Sequence, residues 1–101
     1  MYIIIWEYHI EPESRAEFVK TYSPHGDWAE LFKKGGGYAG TELLQDESNP
    51  QRYLTIDRWE SMEEYETFLS QWEEEYKALD AQCEGLTESE SLLGKWETFS
   101  S

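Results

Sequence analysis

Two histidines, a set of tryptophans and tyrosines and a large excess of carboxylates are the residues of this chain that could do chemistry. His25 stands in Ser23-Pro24-His25-Gly26-Asp27-Trp28. An imidazole titrates near neutrality and an aspartate two residues on could orient it, which makes His25 a candidate general base. The plainer reading is a loop histidine, with Asp27 capping the helix that follows. His9 and Glu7 are two residues apart in an extended run and therefore share one face of a strand. If that face met an apolar interior, burial would raise the Glu7 pKa and lower the His9 pKa, the usual way in which functional groups are tuned. At a strand end both would instead reach water. Two histidines without a third ligand imply no metal site.

Trp28, Trp59, Trp72 and Tyr76 could line a site for a planar ligand, or could be core. Trp72 and Tyr76 fall on the apolar stripe of a helix, where core packing is the default. Arg58 is one of only 8 basic residues against 22 acidic ones. It could meet an anionic substrate, although an ion pair with the acidic surface explains it more simply. Cys83 is the sole cysteine, so it has no internal disulfide partner and fits no zinc pattern. Gly35-Gly36-Gly37 is not followed by the Lys-Ser/Thr of a phosphate loop. No Ser-His-Asp arrangement and no dinucleotide fingerprint is present.

The formal net charge of −14 disfavours nucleic acid and anionic membranes as partners. No stretch approaches the ~18 apolar residues of a membrane span, and the start Met1-Tyr2-Ile3-Ile4-Ile5 lacks the basic head of a signal peptide, so a cytoplasmic location is expected. At 101 residues a single domain over 1–101 is expected, with a core that needs neither disulfide nor metal.

The elements that must position these residues are legible. Residues 2–10 read as a strand in which Tyr2, Ile4, Trp6, Tyr8 and Ile10 face one way and Ile3, Ile5, Glu7 and His9 the other. Neither face is polar, so both must be covered, and the even-numbered face, with Trp6 and Tyr8, is expected at a dimer interface. Pro12 and its flanking acids open a helix with Phe18, Val19 and Tyr22 on its stripe. A short helix with Trp28, Leu31 and Phe32 follows, ended by the glycines at 35–37. Strands are predicted over 38–46 and 52–60, joined by a turn at Asp46–Pro50. Ser61-Met62-Glu63-Glu64 is a capping box that starts one long helix striped by Tyr65, Phe68, Leu69, Trp72, Tyr76 and Leu79. A last strand is predicted over 89–99.

Strand, helices, strand, strand, helix, strand with right-handed crossovers gives an α+β, ferredoxin-like βαββαβ fold: an antiparallel sheet with helices on one face. The other sheet face carries too much apolar surface to stay wet, since each large side chain left exposed forgoes about 1.5–3 kcal/mol. A second copy stacked sheet on sheet covers it, so a homodimer is expected.

The Tyr38-Ala39-Gly40-Thr41-Glu42 segment, the run Tyr53-Leu54-Thr55-Ile56-Asp57-Arg58-Trp59-Glu60-Ser61 and the helix carrying Tyr65 and Phe68 resemble the antibiotic biosynthesis monooxygenase-like family of the dimeric α+β barrel superfamily. The resemblance covers nearly the whole chain. It implies a pocket between helices and sheet in each protomer, and an activity that oxidises an aromatic or quinol-like small molecule with molecular oxygen and no cofactor. His25 or His9 would be the base, with Glu7, Trp28, Trp59, Trp72 and Tyr76 lining the pocket. A haem-degrading branch of the family places an Asn, a Trp and an axial His at positions that fall here on Glu7, Phe68 and Ala78, so the haem-binding pattern is absent. A non-catalytic homodimer that binds a small ligand is the alternative.

Overall fold

The computed structural model describes residues 1–99. Its elements are β1 (Tyr2–His9), a 3-10 turn (Pro12–Ser14), α1 (Arg15–Tyr22), α2 (Asp27–Phe32), β2 (Tyr38–Gln45), β3 (Arg52–Trp59), α3 (Met62–Gln71), α4 (Glu73–Gln82) and β4 (Ser89–Glu97). The four strands form one antiparallel sheet in the order β2-β3-β1-β4, the ferredoxin-like arrangement. The helices lie on one face.

Pairing fixes which side chains meet the helices. Tyr2 is opposite Trp59, Ile4 opposite Asp57, Trp6 opposite Thr55 and Tyr8 opposite Tyr53. This even-numbered set of β1 and odd-numbered set of β3 form the inner face. Trp59 is 0% exposed and its ring lies 5.6 Å from that of Phe32 and 5.1 Å from that of Phe68. A second cluster gathers Tyr8, Phe18, Tyr22 and Tyr53, with Phe18 stacked on Tyr22 at 4.5 Å. Such ring pairs contribute about 0.5–1.5 kcal/mol each beyond area burial. Trp6 and Tyr8 therefore face the helices, not the open side of the sheet where the expected dimer interface would lie. With both faces of β1 apolar, alternation alone could not say which one the helices cover.

The open face carries Ile3, Ile5, Glu7 and His9 of β1, flanked by Leu54 and Ile56 of β3, Leu44 of β2 and Trp96 of β4. Leu44 is 41% and Trp96 47% exposed.

Three local features depart from the expectations. The single long helix is two, because the chain turns at Trp72 (φ −117°, ψ 30°). The apolar periodicity runs straight through that turn and hides it. Glu73, Glu74 and Glu75 then occupy the first turn of α4, where acids suit the helix dipole. Gly26, not Asp27, is the N-cap residue of α2. A β-carbon at Gly26 would stand 2.5 Å from the Lys20 and Thr21 carbonyl oxygens, so no larger residue fits where α1 and α2 meet. The last strand stops at Glu97, and Phe99 lies beyond it, 99% exposed. The Ser61 cap is as expected: its Oγ accepts the Glu64 N–H at 3.1 Å.

β2 carries a bulge between Tyr38 and Gly40, with Gly40 at φ +123°. The extra residue turns Tyr38 and Thr41, three apart, to the same inner face. A β-carbon at Gly40 would meet nothing within 4 Å, so only the backbone conformation excludes other residues. Gly40→Ala is expected to lower stability by about 1–3 kcal/mol in urea denaturation. Unchanged stability would show that the bulge does not depend on the left-handed backbone.

Candidate functional site

Between the two aromatic clusters the inner face leaves a cavity, bounded by Trp6 and Trp28, which touch both clusters. Its floor crosses the whole sheet: Thr41 from β2, Thr55 and Asp57 from β3, Trp6 and Tyr8 from β1, and Glu90 from β4. Its roof is Tyr22 of α1, Trp28 and Phe32 of α2, and Tyr76 and Asp80 of α4. The space is about 60 Å³. Several waters or a small organic group fit there. Tyr76 meets Trp28 edge-on at 5.0 Å and holds the roof together.

Asp57 is the chemically distinctive residue. It sits on a strand position that is otherwise core, 7% exposed, between Thr55 and Trp59 in an alternating buried row. Its Oδ1 accepts a hydrogen bond from Thr41 Oγ1 at 2.7 Å. Thr41 has one proton and spends it on Asp57, so the 2.5 Å contact between Tyr38 Oη and Thr41 Oγ1 is donated by Tyr38. The bulge at Gly40 makes this Tyr38-Thr41-Asp57 chain possible. Burial pushes the Asp57 pKa from the ordinary 3.8 to about 6, against the opposing pull of the Thr41 hydrogen bond. Tyr8, Tyr22, Tyr38 and Tyr76 are all pushed upward, mainly by burial, so they remain neutral hydroxyls. Burial and the nearby Asp80 carboxylate raise Glu90. The indole N–H of Trp28 is buried with no acceptor among the described residues.

Of the site residues expected from sequence, Trp28 and Tyr76 line the cavity. Glu7 and His9 lie on the opposite, open face. There Glu7 pairs with Arg52, which also reaches Asp46 at 3.1 Å, and His9 Nε2 is 3.9 Å from Glu7 Oε1. His25 is exposed in the turn between α1 and α2 and is not among the lining residues. Trp59 is core, and Trp72 packs at the edge of the first cluster under Lys34, whose Nζ is 5.0 Å from its ring centroid. Arg58 pairs with Glu42. Cys83 is a free, buried thiol at the end of α4. Sequence reasoning missed Asp57. The row Tyr53, Thr55, Asp57, Trp59 marks it, because a period-2 strand that sends Trp59 to the core sends Asp57 there too.

Among the described residues no three His, Cys, Asp or Glu side chains gather as a metal site. The cavity also does not fit a haem iron: no imidazole or thiolate lines it, and its tyrosines are held in the neutral form. No helix of the described residues is long and apolar enough to cross a membrane.

The chain belongs to the antibiotic biosynthesis monooxygenase family, whose model matches residues 1–82. Among solved structures it is similar to a protein of Deinococcus radiodurans described as a candidate antibiotic biosynthesis monooxygenase (TM-score 0.76, 18% identity, covering 100% of this chain and 95% of that one). It is also similar to a point mutant of SnoaB of Streptomyces nogalater, a cofactor-independent oxygenase (TM-score 0.66, 16% identity, 99% and 94% covered). A third is a point mutant of MhuD with two manganese protoporphyrin IX molecules per active site (TM-score 0.69, 20% identity, 100% and 97% covered). At these identities the likeness is one of fold. No curated protein sequence matches at a significant level.

A buried carboxyl with a raised pKa costs stability once it ionises. The folded chain holds the Asp57 proton up to about pH 6, the unfolded chain only to about 3.8, so stability falls as pH rises through that window. Asp57→Asn removes this penalty. The stability of the variant relative to the parent is expected to rise by about 3 kcal/mol between pH 3.5 and 7 in paired urea denaturations. A pH-independent difference would show that Asp57 titrates normally.

Proposed function

We propose that this protein is a cofactor-independent monooxygenase acting on a hydroxylated aromatic or quinol-like small molecule, with Asp57 as its base. The observation that carries the reading is a buried carboxyl with a pKa near 6 in a cavity walled by aromatic rings. The family and the likeness to a cofactor-independent oxygenase support it. Neither histidine lines the cavity, so the base moves from His25 or His9 to Asp57.

Near neutral pH Asp57 is mostly ionised, and a carboxylate whose pKa lies close to the working pH is well matched to take a proton from an acidic phenol or enol. Thr41 holds Oδ1, leaving Oδ2 for the substrate hydroxyl. The deprotonated, electron-rich ring gives one electron to dioxygen, and the radical pair joins as a peroxide anion at a ring carbon that carries hydrogen; protonated Asp57 gives that anion its proton, making the hydroperoxide. The Asp57 carboxylate takes that C–H proton as the O–O bond breaks, which leaves a carbonyl on the ring and expels hydroxide. Asp57 returns its proton to the hydroxide as water. The sum is substrate plus O₂ giving quinone plus H₂O. Aromatic walls flatten the ring in place and keep competing water from the reactive anion.

The chain would work as a homodimer that buries the open sheet face. Ile3, Ile5, Leu54, Ile56, Leu44 and Trp96 form a continuous apolar surface there, of the kind that marks an interface. A double variant Ile5→Glu, Leu54→Glu should sediment as a monomer where the parent sediments as a dimer. A monomeric parent would contradict the arrangement.

Oxygen uptake with a panel of anthrones and hydroquinones tests the chemistry. Asp57→Asn should lower kcat/KM by about 10²- to 10⁴-fold, while His25→Ala keeps the parent value. Uptake insensitive to Asp57→Asn would remove Asp57 as the base. Saturable binding of the panel with no uptake at all would leave a non-catalytic ligand-binding homodimer of the same fold.

A further inference from the structure

We infer that the cavity selects a cationic ligand, a protonated amine or quaternary ammonium on an aromatic body, with the positive charge seated at the mouth between Asp80 and Glu90. The inference shares with the proposed function the premise that this cavity is the ligand site. It does not depend on the oxygen chemistry.

Three observations converge. The titratable groups lining the cavity, apart from neutral tyrosines, are Asp57, Asp80 and Glu90, and among the described residues no Lys, Arg or His joins them. The three arginines are committed elsewhere: Arg15 donates to Tyr53 Oη at 2.9 Å, Arg52 pairs with Glu7 and Asp46, and Arg58 with Glu42. The negative charge of the cavity is therefore not balanced by its own lining. Second, the lining includes the aromatic residues Trp6, Trp28, Tyr22 and Tyr76, and a cation over an aromatic face gains about 0.5–2 kcal/mol as it is desolvated. Third, Asp57 is more than nine-tenths buried and lines the cavity, with a donor among the described residues on Oδ1 only. Oδ2 is left to a ligand.

The two ends of the site differ in a way that orients the ligand. Asp57 lies on the inner floor. Asp80 and Glu90 are exposed, and together with Tyr22 they also line a depression that runs from the cavity over the end of α4, with Cys83, Glu84 and Thr87. They stand at the opening, on α4 and β4. A hydroxylated ring entering first would meet Asp57, and an ammonium tail would stay between the outer carboxylates. An anionic tail at the same place would face two like charges.

Three phenols that share a ring and differ in tail charge test this: tyramine (cationic), 4-ethylphenol (neutral) and 4-hydroxyphenylacetate (anionic). Binding to the full chain is read by quenching of tryptophan fluorescence and by calorimetry, without turnover, at about 0.15 M salt so that distant surface charge is screened. Tyramine is expected to bind about tenfold more tightly than 4-ethylphenol, and 4-hydroxyphenylacetate at least tenfold more weakly. Asp80→Asn with Glu90→Gln should reduce the tyramine advantage over 4-ethylphenol to less than about threefold. Glu47→Gln with Glu74→Gln changes the net charge equally at positions that do not line the cavity, and should keep the advantage.

Equal affinities for the three phenols, a preference for the anion, or no binding of any of them would overturn the inference. An advantage lost equally in both double variants would overturn it too, since the preference would then belong to the overall charge. Tyramine selectivity without oxygen uptake on any substrate would support the inference while sinking the monooxygenase reading. Turnover of neutral hydroquinones with no tyramine advantage would do the reverse.

Discussion

A carboxyl group on the inner face of a sheet must be dealt with before the fold can close over it, and here much of the local structure answers to Asp57. Its strand position belongs to the same buried row as Tyr53, Thr55 and Trp59. Packing that row tightly would leave an ionised group in an apolar core, at a cost of several kcal/mol. The chain instead leaves space beside Asp57, supplies one hydroxyl donor through Thr41, and lets the proton stay on to about pH 6. The bulge at Gly40 serves this arrangement, since it brings Thr41 and Tyr38 inward together. The cavity and the raised pKa are thus two consequences of one residue.

The rest of the domain can tolerate that concession because the aromatic clusters on either side are dense. Trp59, Phe32 and Phe68 seal one end of the inner face, and Tyr8, Phe18, Tyr22 and Tyr53 the other. Three of these rings, Phe32, Tyr8 and Tyr22, also line the cavity, so part of the packing that stabilises the fold also bounds the site. The opposite face of the sheet has a separate task. Its aliphatic stripe and its Glu7-Arg52-Asp46 network are set apart from the chemistry, and the proposed dimer would cover them without entering the site.

Much of the architecture was legible in the residues. Strand alternation, the Ser61 capping box and the order of elements suffice for the βαββαβ arrangement. The resemblance carried by the β3 run and the helix after it names the family that the match over residues 1–82 bears out. What stayed hidden has physical causes. β1 is apolar on both sides, so its helix-facing side is decided by pairing with β3 rather than by its own pattern. The break at Trp72 interrupts a helix without interrupting its apolar stripe. Histidines drew attention as bases because their ordinary pKa is near neutral, yet both lie off the cavity. Asp57 acquires its near-neutral pKa only from burial, a property of the folded chain that no residue type announces.

Asp57 should behave as a buried, cavity-facing carboxyl that titrates near neutrality. Carbon-13 NMR of the aspartate side-chain carboxyls, recorded across pH on the parent and on Asp57→Asn, tests it most directly. One carboxyl resonance should titrate at about 6, disappear in the variant and shift on addition of a phenol. If every aspartate titrates near the ordinary ~3.9 and none responds to the phenol, Asp57 is neither buried as described nor part of a ligand site.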